Sequence, residues 1–255
     1  MKEWKKDNLT IRQYNNRALM GADAARMAGE TIKQLLDTKE FVNIIFAAAP
    51  SQNEFLSELA NVKDIAWGRI NAFHMDEYIG LPAGAPQTFR HYLNEHIFSK
   101  IQLHNVHYIN GNAMDIAAEC SRYTDLLKAY PANVVCMGIG ENGHIAFNDP
   151  HVADFEDSHL VKVVELDAAS RQQQVNDGCF KTINDVPVSA ITLTIPALTN
   201  TKHIFCMVPG PKKATAIYNT LHKNIEPQYP SAILRKHTGA ILFIDDDSAS
   251  LLGAK

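Results

Sequence analysis

The sequence predicts an α/β fold, built as a single domain over residues 1–255 around a mostly parallel central sheet flanked by helices. Two observations support this prediction. Short apolar runs of strand length alternate along the whole chain with segments in which apolar residues recur at helical spacing. No linker, internal repeat or low-complexity segment interrupts the alternation, and a chain of 255 residues is long enough to bury a large core.

Each element is assigned from the length of its apolar pattern and from the residues that flank it. The pattern predicts strands at residues 9–14, 41–49, 67–75, 106–109, 134–137, 160–166, 190–195, 203–208 and 240–244. It predicts helices at residues 17–36, 89–98, 113–130, 168–175 and 214–221, with a further helix after Pro50. Ser51 and Glu54 have the spacing of a capping box, so we expect Ser51 to be the N-cap of that helix.

The composition argues against several classes of protein. The formal charge of −4 and the lack of any long Lys/Arg cluster argue against nucleic-acid binding. No apolar run approaches the roughly 18 residues of a transmembrane helix, and the amino terminus lacks the apolar core of a signal peptide, so we expect a cytoplasmic protein without membrane contact. The four cysteines lie far apart, which favours buried free thiols over disulfides or a metal site, and we predict no metal.

The segment from Gly138 to Pro150 is the strongest candidate for a functional site. It follows a short apolar run, its glycines loosen the backbone where that strand ends, and His144 and Asp149 supply titratable groups. Its first six residues also match the dinucleotide-binding pattern G-x-G-x-x-G. That motif requires a long helix that begins inside it, and Pro150 follows too soon for one, so we predict no nucleotide cofactor.

Further candidates come from positions at the predicted ends of strands and starts of helices. Asp76 and Glu77 directly follow a strand, at the edge where α/β enzymes place catalytic groups, although isolated acids there are more often solvated. Ser51 begins a strand-to-helix turn whose free N–H groups suit a phosphate, although a capping role alone is the simpler explanation. Lys213 lies at the start of a helix, where lysines oppose the helix dipole unless an anion is bound.

Four segments together resemble the glucosamine-6-phosphate deaminase (isomerase) family, which is related to the 6-phosphogluconolactonases. The segments are residues 47–51, 73–81, 138–150 and 210–214. The most specific parts are Met-Asp-Glu-Tyr at residues 75–78 and Gly-His-Ile-Ala-Phe-Asn at residues 143–148. The resemblance implies a Rossmann-like fold of the sugar-phosphate isomerase type, a small sugar phosphate as the binding partner, and no cofactor.

The resemblance also implies a reaction and the residues that carry it. The family opens the ring of an amino-sugar phosphate, moves a proton between C2 and C1, and releases ammonia to leave fructose 6-phosphate. By position, Asp76 matches the residue that moves the C2 proton, His144 the one that assists ring opening, and Asp149 the partner of that histidine. The substrate contacts are matched by Ser51, Gly138, Arg171 and Lys213. An imidazole suits ring opening because it can give and take a proton near neutral pH.

The chain departs from the family in the loop that carries His144. Where the deaminases have Asp-Gly-His, this chain has Asn142-Gly-His144, so a carboxylate has become an amide that accepts no proton. Glu141 takes the place of this carboxylate only if the loop is reshaped. A second departure is Asp149, which is one methylene shorter than the family's usual glutamate. Residues 151–162 lack the basic positions associated with allosteric activation, so we predict none.

Three functions therefore stay open. The leading hypothesis is an amino-sugar phosphate deaminase and isomerase that acts on glucosamine 6-phosphate or a close relative. A 6-phosphogluconolactonase would use the same histidine as a general base for water, and the Met-Asp-Glu-Tyr sequence argues against it. The third is a sugar-phosphate-binding protein without activity, which Asn142 keeps open. Relatives include monomers and homo-oligomers, so the resemblance leaves a homo-oligomer open as well.

Overall fold

The computed structural model of the chain describes residues 1–82 and 84–253. Its strands are β1 (Lys2–Lys6), β2 (Leu9–Tyr14), β3 (Val42–Phe46), β4 (Ile70–His74), β5 (Asp76–Tyr78), β6 (Asn105–His107), β7 (Val134–Met137), β8 (Val161–Glu165), β9 (Ser189–Leu193), β10 (His203–Val208) and β11 (Ala240–Asp245). Its α-helices are α1 (Arg17–Leu36), α2 (Asn53–Ala60), α3 (Phe89–Leu93), α4 (Ile116–Ala129), α5 (Ala168–Asn176), α6 (Ile195–Thr199) and α7 (Ala214–His222). In the described ranges, no helix combines the length and the hydropathy needed to span a bilayer.

Eight strands form the main sheet, in the order β1-β2-β11-β10-β7-β3-β4-β6. All neighbouring pairs are parallel except β1 with β2, which confirms the predicted α/β fold with a mostly parallel sheet. From β3 the chain moves outward to β4 and β6, whereas from β7 it moves the other way to β10 and β11. The boundary between β3 and β7 is therefore a topological switch point, where open α/β sheets bind ligands at the carboxyl ends of their strands.

A second, antiparallel sheet has the order β5-β9-β8, and the sequence pattern does not predict it. The pattern shows that β8 and β9 are strands, but it carries no information about which strands they pair with. It also ends the preceding strand at residue 75 and places Asp76 and Glu77 just beyond that end. Instead β4 ends at His74, the chain passes through Met75 alone, and Asp76 pairs with Thr192 of β9. The candidate base therefore lies on a strand, which holds it more firmly than a loop would.

The central strands are buried on both faces, as their continuous apolar runs predict. Every residue of β3 and β7 is buried, and the neighbouring residues Ile44 and Ile45 belong to apolar clusters on opposite sides of the sheet. Helix α1 approaches α2 closely at Gly21, where a Cβ would lie 2.6 Å from the Cβ of Glu54. This packing makes the sheet a rigid platform for the loops at its carboxyl edge.

Candidate active site

Loops at the carboxyl edge of the central strands enclose a cavity of about 60 Å³. Six parts of the chain line it: Ala47, Ala48, Ala49 and Ser51 after β3; Met75 and Asp76 at the start of β5; Phe89 at the start of α3; Gly138, Ile139, Gly140, His144, Ala146 and Phe147 after β7; Gln173 and Gln174 of α5; and Lys213 before α7. The acid, imidazole and ammonium groups predicted to share one site are therefore brought together. They come from segments that are about 70 residues apart in the chain.

Ser51 does not cap α2, so the predicted capping box is wrong. Residues Pro50–Gln52 form a 3-10 turn, and the N-cap of α2 is Gln52, which makes no side-chain capping bond. Glu54 instead pairs with Arg17, with 2.6 Å between Nε and Oε1. Ser51 lines the cavity, where its Oγ accepts a hydrogen bond from Gln52 Nε2 at 3.0 Å. The hydroxyl is thus released from the helix and available to a ligand.

His144 belongs to a hydrogen-bonded network that we call the histidine wall, formed by Asn142, His144, Asp149 and Ser170. His144 Nδ1 lies 3.0 Å from Asp149 Oδ1 and 2.9 Å from Ser170 Oγ, and Ser170 donates to the same Asp149 oxygen. Burial opposes ionisation of Asp149, but the hydrogen bond and the charge of His144, together with hydrogen bonds from Asn142 and Ser170, outweigh it and lower the pKa of Asp149 to about 2. Because Nδ1 faces Asp149, the ring edge with Nε2 is left for the cavity.

Two glycines of the loop allow this placement of the imidazole. A Cβ on Gly140 would lie 2.2 Å from both Nε2 and Cε1 of His144, so no larger residue fits under the ring as it stands. Gly143 has a φ of 89°, a left-handed conformation that glycine adopts without strain. The glycines that resemble a dinucleotide motif therefore have another use. No helix begins within residues 138–150, so this loop lacks the helix start that a pyrophosphate requires.

Asn142 joins two carboxylates beside the imidazole. Its Nδ2 donates to Asp149 Oδ1 at 2.9 Å and to Asp167 Oδ2 at 3.2 Å, while its Oδ1 accepts from the His144 N–H at 3.0 Å. An aspartate at this position could not donate to either acid and would add a third negative charge. These contacts are the physical reason for an amide at position 142.

Glu141 takes no part in the histidine wall. It lines a second cavity of about 250 Å³, which adjoins the first and shares Ala49, Ser51, Gln173 and Lys213 with it. The Glu141 N–H donates to Gln173 Oε1 at 2.7 Å. Glu141 Oε1 is buried and has no hydrogen-bond partner among the described residues, so Glu141 does not take the place of the carboxylate that is missing at position 142 beside His144.

The adjacent acids Asp76 and Glu77 point to opposite faces of β5. Glu77 accepts hydrogen bonds of 3.0 Å from the N–H groups of Tyr78, Phe89 and Arg90, and so holds the start of α3. Asp76 is only 7% exposed and lines the cavity. Burial, and secondly the charge of Glu77, raise the pKa of Asp76 well above its ordinary value. A buried carboxylate of this kind is a stronger base than a solvated one.

Lys213 lines both cavities and is 8% exposed. Burial lowers the pKa of its ammonium group, while the charges of Asp177 and Glu141 oppose that shift. None of the ion pairs formed within residues 1–82 and 84–253 includes Lys213. A desolvated cation without an ion pair suits an anionic ligand. We refer to Asp76 and Lys213 together as the open wall of the cavity.

Arg171 lies outside both cavities, which corrects the contact with substrate expected from the sequence. Its Nη2 donates to the main-chain oxygens of Ile183 at 2.6 Å and Val186 at 3.0 Å. The guanidinium therefore ties α5 to the 3-10 turn Ile183–Asp185 and leaves the ligand to other residues. The arginine that does line the second cavity, beside Ser51 and Lys213, is Arg17.

Helix α5 supplies side chains that sequence reasoning missed. Ser170 bridges His144 and Asp149, while Gln173 and Gln174 line the cavity. The only available signal is that Asp167 lies three residues before Ser170, as an N-cap does, and Asp167 Oδ1 does accept from the Ser170 N–H at 2.6 Å. That spacing predicts where α5 starts, but it does not show that the first turn packs against His144.

One group of described residues has the composition of a metal site. Ligand atoms of Asp149, His151 and Asp167 all lie within 4.8 Å of one another. Asn142 already donates to both of these carboxylates, and Asp149 also accepts from Ser170. Asp149 and Asp167 are therefore linked through Asn142, which is a member of the histidine wall.

Comparison with known proteins places this geometry in context. The family of glucosamine-6-phosphate isomerases/6-phosphogluconolactonase matches residues 15–243. The glucosamine-6-phosphate deaminase of Streptococcus sanguinis (strain SK36) is 31% identical over 244 residues, which are 96% of this chain and 99% of that protein. The glucosamine-6-phosphate deaminase of Clostridium novyi (strain NT) is 37% identical over 193 residues, which are 74% and 78% of the two chains.

Solved structures show the same fold. A monomeric glucosamine-6-phosphate deaminase superposes with a TM-score of 0.86 at 28% identity, over 94% of this chain and 99% of that one. A 6-phosphogluconolactonase from Thermotoga maritima superposes with a TM-score of 0.74 at 18% identity, over 93% and 99%. The second likeness is one of fold.

Proposed function

The chain belongs to the glucosamine-6-phosphate isomerase/6-phosphogluconolactonase family, and from that premise we propose that it deaminates and isomerises an amino-sugar phosphate. The substrate is glucosamine 6-phosphate or a close relative, and the products are a ketose 6-phosphate and ammonia. One observation carries the proposal: Asp76, His144 and Lys213 line the same cavity at the switch point of the sheet. They supply a base, a group that shuttles protons, and an anchor for a phosphate.

Ring opening is the step assigned to His144. The neutral imidazole takes the proton of the anomeric hydroxyl through Nε2, and the resulting imidazolium returns a proton to the ring oxygen as the C1–O5 bond breaks. Asp149 stabilises the imidazolium, since it is buried beside Nδ1 and stays ionised above its pKa of about 2. General acid-base help of this kind contributes about 10²- to 10⁴-fold.

Proton transfer from C2 to C1 is the step assigned to Asp76. The carboxylate removes the C2 proton of the open-chain aldehyde while the aldehyde oxygen takes up a proton from solvent, which gives an enol-amine. Asp76 then returns its proton to C1 as the amine nitrogen releases a proton to solvent. The C2 amine thereby becomes an imine, and water hydrolyses it to the ketone and ammonia. Since Asp76 is buried and faces the cavity, its carboxylate exchanges little of this proton with solvent.

The phosphate is assigned to Lys213 and Ser51, which line both cavities. The second cavity extends from Ser51 and Lys213 past Arg17, which leaves room for a group outside the first cavity. Binding energy from this remote group holds the sugar carbons against Asp76 and His144.

The decisive experiment measures ammonia and ketose 6-phosphate formed from glucosamine 6-phosphate by the purified protein. We expect Asp76→Asn to lower kcat by about 10³-fold, because the amide cannot take the C2 proton. Asp125→Asn, at an exposed position on α4, is the control and should leave kcat unchanged. Full activity of Asp76→Asn would rule out the assigned role.

The same assay predicts a pH dependence with a definite sign. Asp76 must be ionised to act as a base, and its pKa is raised in the folded protein. Activity should therefore fall as the pH decreases through this raised pKa, at a higher pH than for an ordinary aspartate. A profile that stays flat down to pH 4 would contradict the assignment.

The alternatives are outcomes of the same assay. Hydrolysis of 6-phosphogluconolactone without release of ammonia from any amino-sugar phosphate would indicate a lactonase. Tight binding of glucosamine 6-phosphate with no product after prolonged incubation would indicate a binding protein. A panel of amino-sugar phosphates would then identify the preferred sugar.

A further inference from the structure

The candidate base lies immediately beyond the point where the chain crosses from one sheet to the other. β4 ends at His74 in the main sheet and β5 begins at Asp76 in the second sheet, so Met75 is the only residue between them. A connection of one residue orients β5 only if the residues on both sides of that connection are held by other contacts. His74 is completely buried, with 0% exposure, at this crossing.

Both ring nitrogens of His74 are engaged, and their partners define the tautomer. The N–H of Ile109 donates to Nε2 at 2.8 Å, so the ring proton resides on Nδ1. Nδ1 lies 2.8 Å from the main-chain oxygen of Asp76 and therefore donates to it. Burial lowers the pKa of His74 to about 3, which keeps the ring neutral at physiological pH.

The backbone of His74 is itself fixed. Tyr123 Oη accepts from the His74 N–H at 3.1 Å, and its hydroxyl proton lies within reach of the main-chain oxygens of His74 at 2.9 Å and His107 at 3.1 Å. Tyr123 is also fully buried. The imidazole thus connects a rigid point on β4 to the first residue of β5 and to the loop after β6.

We infer that His74 is a positioning residue for the base, because its Nδ1–H holds the Asp76 carbonyl and thereby directs the Asp76 carboxylate into the cavity. Successive side chains of β5 point to opposite faces of the strand, so a bond that holds the backbone at Asp76 also sets the direction of its carboxylate. Glu77 is committed to the start of α3 on the other face, so a rotation of the strand at Asp76 would pull the carboxylate away from the substrate carbons. A displacement of about 1 Å costs roughly 100-fold in rate.

The inference rests on the proposed function and adds a residue that does not touch the substrate. His74 does not line either cavity of the site. A histidine that merely fills the core would affect stability when replaced, whereas a positioning residue also lowers kcat at unchanged KM. Substitutions that keep only the bond to the Asp76 oxygen or only the bond to the Ile109 N–H tell these two roles apart.

The test uses three substitutions of His74. In His74→Asn the amide nitrogen occupies about the place of Nδ1 and keeps the bond to the Asp76 oxygen, whereas in His74→Gln the longer amide reaches toward Ile109 in place of Nε2. His74→Leu keeps neither bond. We expect a roughly 100-fold loss of kcat in the Leu and Gln variants with KM within about 3-fold, and recovery to within about 10-fold of wild type in the Asn variant.

The matched control is His107→Leu. His107 ends the neighbouring strand β6, its ring stacks on Phe73 at 4.6 Å, and its Nε2 has no hydrogen-bond partner among the described residues. This variant should lower Tm and leave kcat within about 3-fold. Equal kcat losses in the Asn and Gln variants, or a normal kcat in a folded Leu variant, would overturn the inference.

A second readout keeps the inference separate from the proposed reaction. The carboxyl carbon of ¹³C-labelled Asp76 is titrated by NMR in the free protein. If His74 aims this group, the Leu and Gln variants shift its pKa toward that of a solvated aspartate and the Asn variant does not; identical titrations in all variants would refute the inference. If the wild-type protein released no ammonia, the proposed function would be wrong. The titration would still decide the role of His74.

Discussion

The two walls of the cavity treat buried charge in opposite ways. In the histidine wall, the Asp149 carboxylate accepts hydrogen bonds from three side chains, and its pKa falls to about 2. In the open wall, burial raises the pKa of Asp76 and lowers that of Lys213, so that in both cases it disfavours the charged form. The histidine wall already provides donors to Asp149 Oδ1, although Asp149 Oδ2 has no partner among the described residues, whereas the side chains of Asp76 and Lys213 form no ion pair there.

This difference indicates which wall of the cavity is suited to bind a charged ligand. The hydrogen-bonded network around Asp149 Oδ1 stabilises the fold and keeps one geometry, so its members are expected to matter for stability as well as for activity. Charges buried without partners reduce stability and are compensated when a substrate arrives. Substitutions in the two walls should therefore have opposite effects on the free protein.

Of the three substitutions that compare the two walls, Lys213→Met has the largest expected effect, and it tests the open wall. Loss of a charged contact to the phosphate, which is worth about 1.5 to 3 kcal/mol, should raise KM by roughly 10- to 100-fold. The Tm of the free protein should be unchanged or higher, because a desolvated cation has been removed. Lys202→Met is the control: this exposed lysine lines neither cavity of the site, and its loss should change KM by less than about 3-fold. A marked fall in Tm for Lys213→Met would break the comparison.

The next effect tests the rigidity of the histidine wall through Gly140→Ala. The new Cβ would meet the ring of His144 at 2.2 Å, so the imidazole must move away from Asp149 and Ser170. We expect a destabilisation of about 1 to 3 kcal/mol by urea unfolding, together with a lower kcat. Gly68→Ala provides the comparison, since its Cβ would have only one neighbour within 4.0 Å. Normal stability and activity of Gly140→Ala would show that the His144 ring can shift to make room for a methyl group, and that the histidine wall is not rigid.

The smallest effect sharpens the comparison through Asn142→Asp. Three carboxylates would then lie together, and the new group would have a folded-state pKa above its unfolded value. Such a group favours folding at low pH and disfavours it as the pH rises, so the variant should lose about 1 to 2 kcal/mol at pH 7 and much less at pH 4. Urea unfolding at the two pH values measures this, with the exposed Asn176→Asp as control. An equal loss at both pH values would mean that charge is not the cause.

Much of the site was predictable because local sequence determines local geometry. Apolar runs predict β3, β7 and β10, and the polar residues that follow them must lie at one edge of a parallel sheet. This reasoning places Ser51, Asp76, His144 and Lys213 around one region. The contact expected of Arg171 rested on the family resemblance and is wrong, since a position in α5 does not show which face of that helix meets the cavity. Reasoning from local sequence also fails for Ser51 as a cap, because Pro50–Gln52 forms a 3-10 turn there.

The sequence by itself determined the alternating α/β order, the buried strands and the residue types at their carboxyl ends. Only the tertiary structure decided how those groups are used: that Asn142 links two acids, that Ser170 joins His144 to Asp149, and that a second sheet carries Asp76. The physical reason is range. Strand and helix formation depends on neighbours a few residues apart, whereas the charge state and aim of a buried side chain depend on contacts made by residues far away in the chain.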